Sequence, residues 1–208
     1  MQHQAPTGPR PTLHIFAKAP MLGRIKTRLA ASIGDTDALA VYRALLHHTA
    51  TVAAEWGPVL VHRTGDPAAY ADWPLSAFPH CEQAPGNLGT RLEQGLLAGL
   101  ESGPALAIGT DCPGLSIAAL ARCAALVAEH EAVFGPSTDG GYWCLGVSHA
   151  NAVRVCCGED LPWSQPALMR ETEARCTAAG IATQRGPVLA DCDDITDLRA
   201  AEAAGFSW

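Results

Sequence analysis

The sequence predicts an α/β fold: a single-domain, three-layer α/β/α sandwich around a mainly parallel sheet. Three observations predict it. Short apolar runs alternate with longer helix-patterned stretches almost throughout, which calls for crossover connections and helices on both faces of a sheet. The 208 residues suit one domain of ordinary size. No internal repeat and no long linker divides the chain, so residues 1–12 read as a polar, Pro-rich, flexible lead-in and residues 13–208 as the domain.

The elements follow in order. Leu13–Ala17 (LHIFA) is a buried first strand, and it runs into a cation-rich loop, Lys18–Arg28, punctuated by Pro20 and Gly23. Thr36–Glu55 is helical, with Leu39, Tyr42, Leu45, Leu46 and Val52 near one face and Asp35 or Thr36 as its cap. Val59–His62 is a second strand closed by Gly65-Asp66-Pro67, and Ala77–Gln83 is a weaker strand before the turn Ala84–Asn87. Leu92–Leu100 is helical despite Gly95 and Gly99. Ala105–Ile108 is the strongest buried strand, and Ser116 caps an alanine-rich helix to Glu129. Ala132–Phe134 and Tyr142–Val147 are strands joined through Asp139-Gly140-Gly141. Ser164 is expected to cap a helix over Gln165–Ala179 that Gly180 stops, Val188–Ala190 to form the last strand, and Thr196 to cap a short closing helix.

Composition excludes several classes of function. The formal charge of −7 argues against a broad basic face for nucleic acid. No apolar run reaches the roughly 18–20 residues needed to span a bilayer, and the first dozen residues lack the apolar core of a signal peptide. The 8 cysteines lie mostly in apolar stretches and form no Cys-x-x-Cys pair, which predicts reduced thiols and a cytoplasmic protein.

In such sheets ligands bind beyond the carboxyl ends of the strands. Three of those ends carry charge. The first delivers Lys18, Arg24, Lys26 and Arg28; the strand Ala105–Ile108 delivers Asp111; the last delivers Asp191 and Asp193. Cations that neutralise phosphate oxygens, beside carboxylates able to hold Mg²⁺ or Mn²⁺, are what a metal-bound polyphosphate requires. Gly23 would let the backbone approach an anion, and Arg28 could fork onto two oxygens. The loop is neither a Walker A sequence nor a dinucleotide fingerprint. Asp111 has a second reading as the cap of the turn stiffened by Pro113, and Asp191 or Asp193 as a helix cap. Alternation along a strand would point Asp191 and Asp193 to one side and Asp194 to the other. Asp139-Gly140-Gly141 reads as a hairpin turn or an acceptor-binding rim, and Trp163 as a stacking platform or a packing residue.

The ordered segments FAKAPMLGRIKTRLA, IGTDCPGL, GPSTDGGYWCLG, Trp163-Ser164 and DCDDITDL resemble a bacterial family of nucleotide-diphospho-sugar transferase (GT-A) fold, provisionally labelled arsenosugar-biosynthesis glycosyltransferase. The resemblance covers nearly all of the chain after Thr12 and extends to molybdenum-cofactor and phospholactate guanylyltransferases. It implies a metal-dependent transferase taking a nucleotide donor and a small-molecule acceptor. Lys18, Lys26 and Arg28 would serve the phosphates, with Lys26 and Asp111 at the reacting centre. Asp111 and Asp193 would be the metal carboxylates, and Asp139, Gly140 and Gly141 would face the acceptor. Asn87 stands where that pattern has an aspartate. Glycosyl transfer is placed first on the family label. Nucleotidyl transfer with release of pyrophosphate is the alternative, and an idle nucleotide-binding domain the third.

Overall fold

The protein was analysed as a computed structural model that describes residues 10–70 and 72–208, so most of the expected lead-in lies outside the described residues. Among the described residues, seven strands form one sheet: β1 (Thr12–Lys18), β2 (Val59–Thr64), β3 (His80–Glu82), β4 (Ala105–Ile108), β5 (Ala132–Pro136), β6 (Tyr142–Val147) and β7 (Thr183–Arg185). Their spatial order is β3-β2-β1-β4-β6-β5-β7, and β6 alone runs antiparallel to its neighbours. From β1 the chain winds outward to β3, then returns to place β4 on the other side of β1. That reversal opens a crevice beyond the ends of β1 and β4.

Alternating side chains bury both faces. Leu13 and Ile15 of β1 and Leu106 and Ile108 of β4 point to one side. There they pack on Tyr42, Leu46 and Trp56 of α2 (Asp35–Trp56) and on Leu120, Cys123 and Val127 of α4 (Ile117–Val127). Phe16, Ala105, Ala107 and Phe134 point to the other side. They meet α3 (Leu88–Gly99), α5 (Ala150–Cys156) and α6 (Leu168–Ala178) through Leu96, Val153, Cys156 and Cys176. A smaller cluster joins α2 to α1 (Thr27–Ile33) and α7 (Ile195–Ala203) through Leu29, Leu45 and Leu198. Each fully buried aliphatic or aromatic side chain contributes about 1.5–3 kcal/mol. This is the expected three-layer α/β/α fold.

Ser116 caps α4 as expected, its hydroxyl accepting from the Ala119 amide at 3.2 Å. Elsewhere the boundaries differ from the sequence reading for local reasons. Gly34 precedes α2, and Asp35 lies in the first turn rather than at the cap. Ser164 caps nothing: it has φ +61° in a turn, and α6 starts only at Leu168. Val188–Ala190 contributes a single bridge, Leu189 to Ser137, while the true edge strand is the polar Thr183–Arg185. Asp194, not Thr196, caps α7, accepting from the Thr196 and Asp197 amides while Asp197 accepts from the Asp194 amide. The helices α1 and α5 have no counterpart in the sequence reading.

All eight cysteines are free, and seven are buried. Cys81 on β3 is the exposed one, and partial burial and the neighbouring Glu82 raise its pKa. A thiol reagent is therefore expected to titrate one thiol in the native protein, slowly, and all eight after denaturation. Labelling of any thiol besides Cys81 and Cys112, the least buried of the other seven, would show that the thiol-bearing layers open to solvent.

Candidate active site

The charged loop leaves β1 at a fixed point. The Tyr42 hydroxyl accepts from the Lys18 amide at 3.2 Å and donates to the Lys18 carbonyl at 2.9 Å, clamping the strand end onto α2. Burial, with the Asp111 charge adding to it, pushes the pKa of this phenol up to about 12. Beyond Lys18 the chain turns through Gly23 at φ +71°, and Arg24 donates its amide to the Met21 carbonyl at 3.1 Å. Ile25 then sinks into the core. Lys26 takes φ +46°, rare for a residue with a side chain, immediately before α1. This kink turns the Lys26 side chain inward until it is 5% exposed.

Two distant carboxylates receive it. Lys26 Nζ lies 2.6 Å from Asp111 Oδ1 and 2.9 Å from Asp193 Oδ1, and Arg28 takes the other Asp193 oxygen. Burial acts to lower the lysine pKa, but the two carboxylates overcome it and hold the ammonium charged above its ordinary range. For Asp193 burial acts upward, and Lys26 and Arg28 reverse it, leaving the carboxyl below its usual pKa. The Cys192 amide donates to the Asp111 carbonyl at 2.9 Å, so backbone joins the two acidic segments. Asp191 differs from both. The Cys112 thiol donates to its Oδ1 at 2.8 Å, and burial, aided by Asp111, Asp139 and Asp193, raises its pKa to about 6.

These groups surround a cavity of about 460 Å³. Lys18, Arg24, Lys26, Arg28, Asp111, Asp193 and Trp163 all line it, as do Asp191, Cys112 and Tyr42. Phe16, Tyr142, Trp143 and Trp163 supply an aromatic wall. Trp163 is oriented by its indole N–H, which donates to the Gly158 carbonyl at 3.0 Å, and by edge contact with Tyr142.

Gly23, Asp139, Gly140 and Gly141 do not line the cavity. The need for Gly23 is its left-handed turn. Asp139 folds back on its own turn, accepting from the Ser137 hydroxyl and from the Gly141 amide at 2.9 Å. Gly140 is required by the carbonyl of Pro166, which a Cβ would meet at 2.2 Å. Asn87 caps α3 by accepting from the Thr90 amide, while its own amide donates to the Glu159 carbonyl at 3.1 Å. An aspartate there could cap but not donate. Tyr42 and Tyr142 are patterned as core in the sequence, and Cys112 has no evident base partner there; the fold places all three on the cavity wall, Tyr42 from α2 and the other two beside strand ends.

Among the described residues no group of three or more His, Cys, Asp or Glu could hold a metal ion. The protein could offer a divalent cation the Asp111 and Asp193 carboxylates, whose oxygens already converge on one positive centre. That donor set fits Mg²⁺ or Mn²⁺, which combine one or two carboxylates with water and substrate phosphate oxygens. Among the described residues no helix is long and apolar enough to cross a membrane.

Solved structures share this architecture. A provisionally assigned nucleotide-diphospho-sugar transferase from Desulfovibrio desulfuricans G20 superposes with a TM-score of 0.81 at 20% identity, covering 91% of this chain and 85% of its own. The 2-C-methyl-D-erythritol 4-phosphate cytidylyltransferase of Thermus thermophilus gives 0.55 at 16% identity, covering 94% and 98%. The inositol-1-phosphate CTP transferase of T. maritima gives 0.55 at 12%, covering 91% and 93%. At these identities the likeness establishes the fold, which is that of nucleotide-diphospho-sugar transferases. No curated protein matches the chain in sequence. A family model described as "Uncharacterized protein conserved in bacteria (DUF2064)" matches residues 45–165, a segment that includes Asp111. With more than half of its length in that match, the chain belongs to the DUF2064 family.

Proposed function

We propose that the protein is a metal-assisted transferase that binds a nucleotide donor in this cavity and passes part of it to a small acceptor. The observation that carries the proposal is the meeting of Lys26, Asp111 and Asp193 in one hollow also lined by Lys18, Arg24 and Arg28. Opposed sets of fixed charges on one cavity suit a polyphosphate with its cation and suit little else. Lys18, Arg24 and Arg28 would bind phosphate oxygens, and Lys26 would stabilise charge on the departing phosphate. Asp111 and Asp193 would hold Mg²⁺ or Mn²⁺, which when bound would neutralise further phosphate charge. Trp163 offers a face for a base or an acceptor ring. The donor read first is a nucleotide-diphospho-sugar, with attack at the sugar carbon and departure of a nucleoside diphosphate. The second reading is nucleotidyl transfer, in which an acceptor phosphate attacks the α-phosphorus of a nucleoside triphosphate and pyrophosphate leaves. Four cations on one cavity favour it, being more than a diphosphate needs, and so do the names of the Thermus and T. maritima neighbours.

Calorimetry with nucleoside triphosphates and nucleotide sugars, each with and without Mg²⁺, separates the two. Tight metal-dependent binding of a triphosphate alone would reverse their order. Asp111→Asn is expected to weaken donor binding by about tenfold or more with Mg²⁺ present and little without it. An equal loss in both conditions would show that the carboxylate is not a metal ligand.

A further inference from the structure

The Lys26 ammonium fills the place that a divalent cation would need. It holds Asp111 Oδ1 at 2.6 Å and Asp193 Oδ1 at 2.9 Å, while Arg28 holds the second Asp193 oxygen. A Mg²⁺ ion draws carboxylate oxygens to about 2.0–2.1 Å. It cannot share the same lone pairs with an ammonium at hydrogen-bond distance, and the two positive charges would repel. Lys26 must therefore leave before Asp111 Oδ1 and Asp193 Oδ1 can hold a metal between them.

The ammonium cannot leave for nothing. Its side chain is 5% exposed, and a buried charge stripped of its partners is strongly disfavoured. In the cavity the new partner would be the phosphate of an incoming donor. The backbone is shaped for such a lysine: Lys26 sits at φ +46°, at the junction of loop and α1, where the side chain is aimed inward from a turn rather than from a helix face.

We infer that Lys26 is a place-holding cation, which neutralises the Asp111–Asp193 pair while the cavity is empty and passes to the donor's phosphates when metal enters. The inference rests on the reading of Asp111 and Asp193 as metal ligands. Metal alone then binds poorly, because it must evict the ammonium into a cavity without an anion. Metal and phosphates enter together, each improving the other's affinity by the same factor.

The test uses Mn²⁺ alone, followed by calorimetry and by the paramagnetic signal of free Mn²⁺, on the wild type, Lys26→Met, Lys26→Gln and Lys26→Arg. The neutral variants are expected to bind Mn²⁺ at least tenfold more tightly than the wild type, and their melting temperatures to rise more on Mn²⁺ addition. Glutamine keeps a hydrogen bond to the carboxylates and serves as the folded variant if methionine disrupts the site. Lys26→Arg is expected to exclude Mn²⁺ as the wild type does, and Asp111→Asn added to Lys26→Gln to abolish the gain. Equal Mn²⁺ affinity in the wild type and the neutral variants overturns the place-holder and leaves the metal reading standing. Absence of Mn²⁺ binding by every protein, with or without a nucleoside triphosphate, overturns both.

Discussion

Acidification from pH 7 towards 4 is expected to destabilise the protein, and the loss originates in a buried pair of histidines rather than in the charged groups of the cavity. His14 on β1 and His62 on β2 are buried and share a hydrogen bond between Nδ1 and Nε2 at 2.8 Å. The His62 ring stacks on Phe16, and Cys81 Sγ lies 3.3 Å from its Nδ1. Among the described residues His14 Nε2 has no partner, and it faces Gly99, where a Cβ would come within 2.2 Å. Burial lowers both pKa values to about 4, and for His14 the His62 charge adds to it. The unfolded chain titrates near 6.5, so between 6.5 and 4 it binds more protons than the native state, and stability falls as the pH is lowered. At roughly 1.4 kcal/mol for each tenfold change in proton affinity, each ring costs on the order of 3 kcal/mol.

One group works in the opposite direction. The raised pKa of Asp191 means that it takes up its proton in the folded state first, which relieves the site as pH falls from about 6 towards 3.8. Its relief is the smaller effect, because one carboxyl opposes two rings. Asp193, with its lowered pKa, contributes stability that is lost only below the unfolded value of 3.8. Two histidines therefore prevail over one aspartate. Urea midpoints measured at pH 7, 5.5 and 4.5 are expected to fall monotonically, and more steeply in Asp191→Asn. A flat profile would mean that the ring pair opens to water without cost.

Gly140→Ala is expected to lower the melting temperature and weaken ligand binding together. The added methyl would lie 2.2 Å from the Pro166 carbonyl oxygen, which is backbone and cannot rotate away, and φ at this position is +93°. Backbone strain of about 1–2 kcal/mol and overpacking of about 1–3 kcal/mol combine. The Met169 amide donates to the Gly140 carbonyl at 3.1 Å, so the strain reaches the start of α6 as well as residues 162–166. That segment carries Trp163 and Ser164 on the cavity wall. Gly114→Ala, whose methyl would make only ordinary contact with Leu189 at 3.7 Å, is the matched control and is expected to be nearly silent. Equal melting temperatures for the two variants would show that the Pro166 loop has room to withdraw.

The strands legible from sequence were those that a parallel sheet buries on both faces. Ala105–Ile108 has four buried residues and needs no alternation to be recognised. The edge strand Thr183–Arg185 is polar and largely exposed, so no apolar pattern betrays it. The helix α5 is short and is capped by a histidine ring, which accepts from the Ala152 amide in place of the usual hydroxyl or carboxylate. In the site, the charged side chains were legible because each follows the end of an apolar run. Their pairing was not: Lys26 and Asp193 are 167 residues apart, and only the crossing of β1 and β4 with the segment after β7 brings them together. The glycines of the Asp139 turn looked functional because turns at strand ends often are, whereas Gly140 is constrained by the approach of Pro166 and Gly141 by the side chains of Asp139 and Ser137.

The backbone bond from Cys192 to Asp111 has a consequence for biosynthesis. A growing chain that has emerged only as far as β7 carries the basic loop without one of its two counter-charges, and its ammonium has no closed seat. The cavity acquires its acidic wall when residues 191–193 dock against the end of β4, after every strand of the sheet has been made. On the proposed function, nascent chains on the ribosome that stop short of residue 193 would therefore lack a complete donor site.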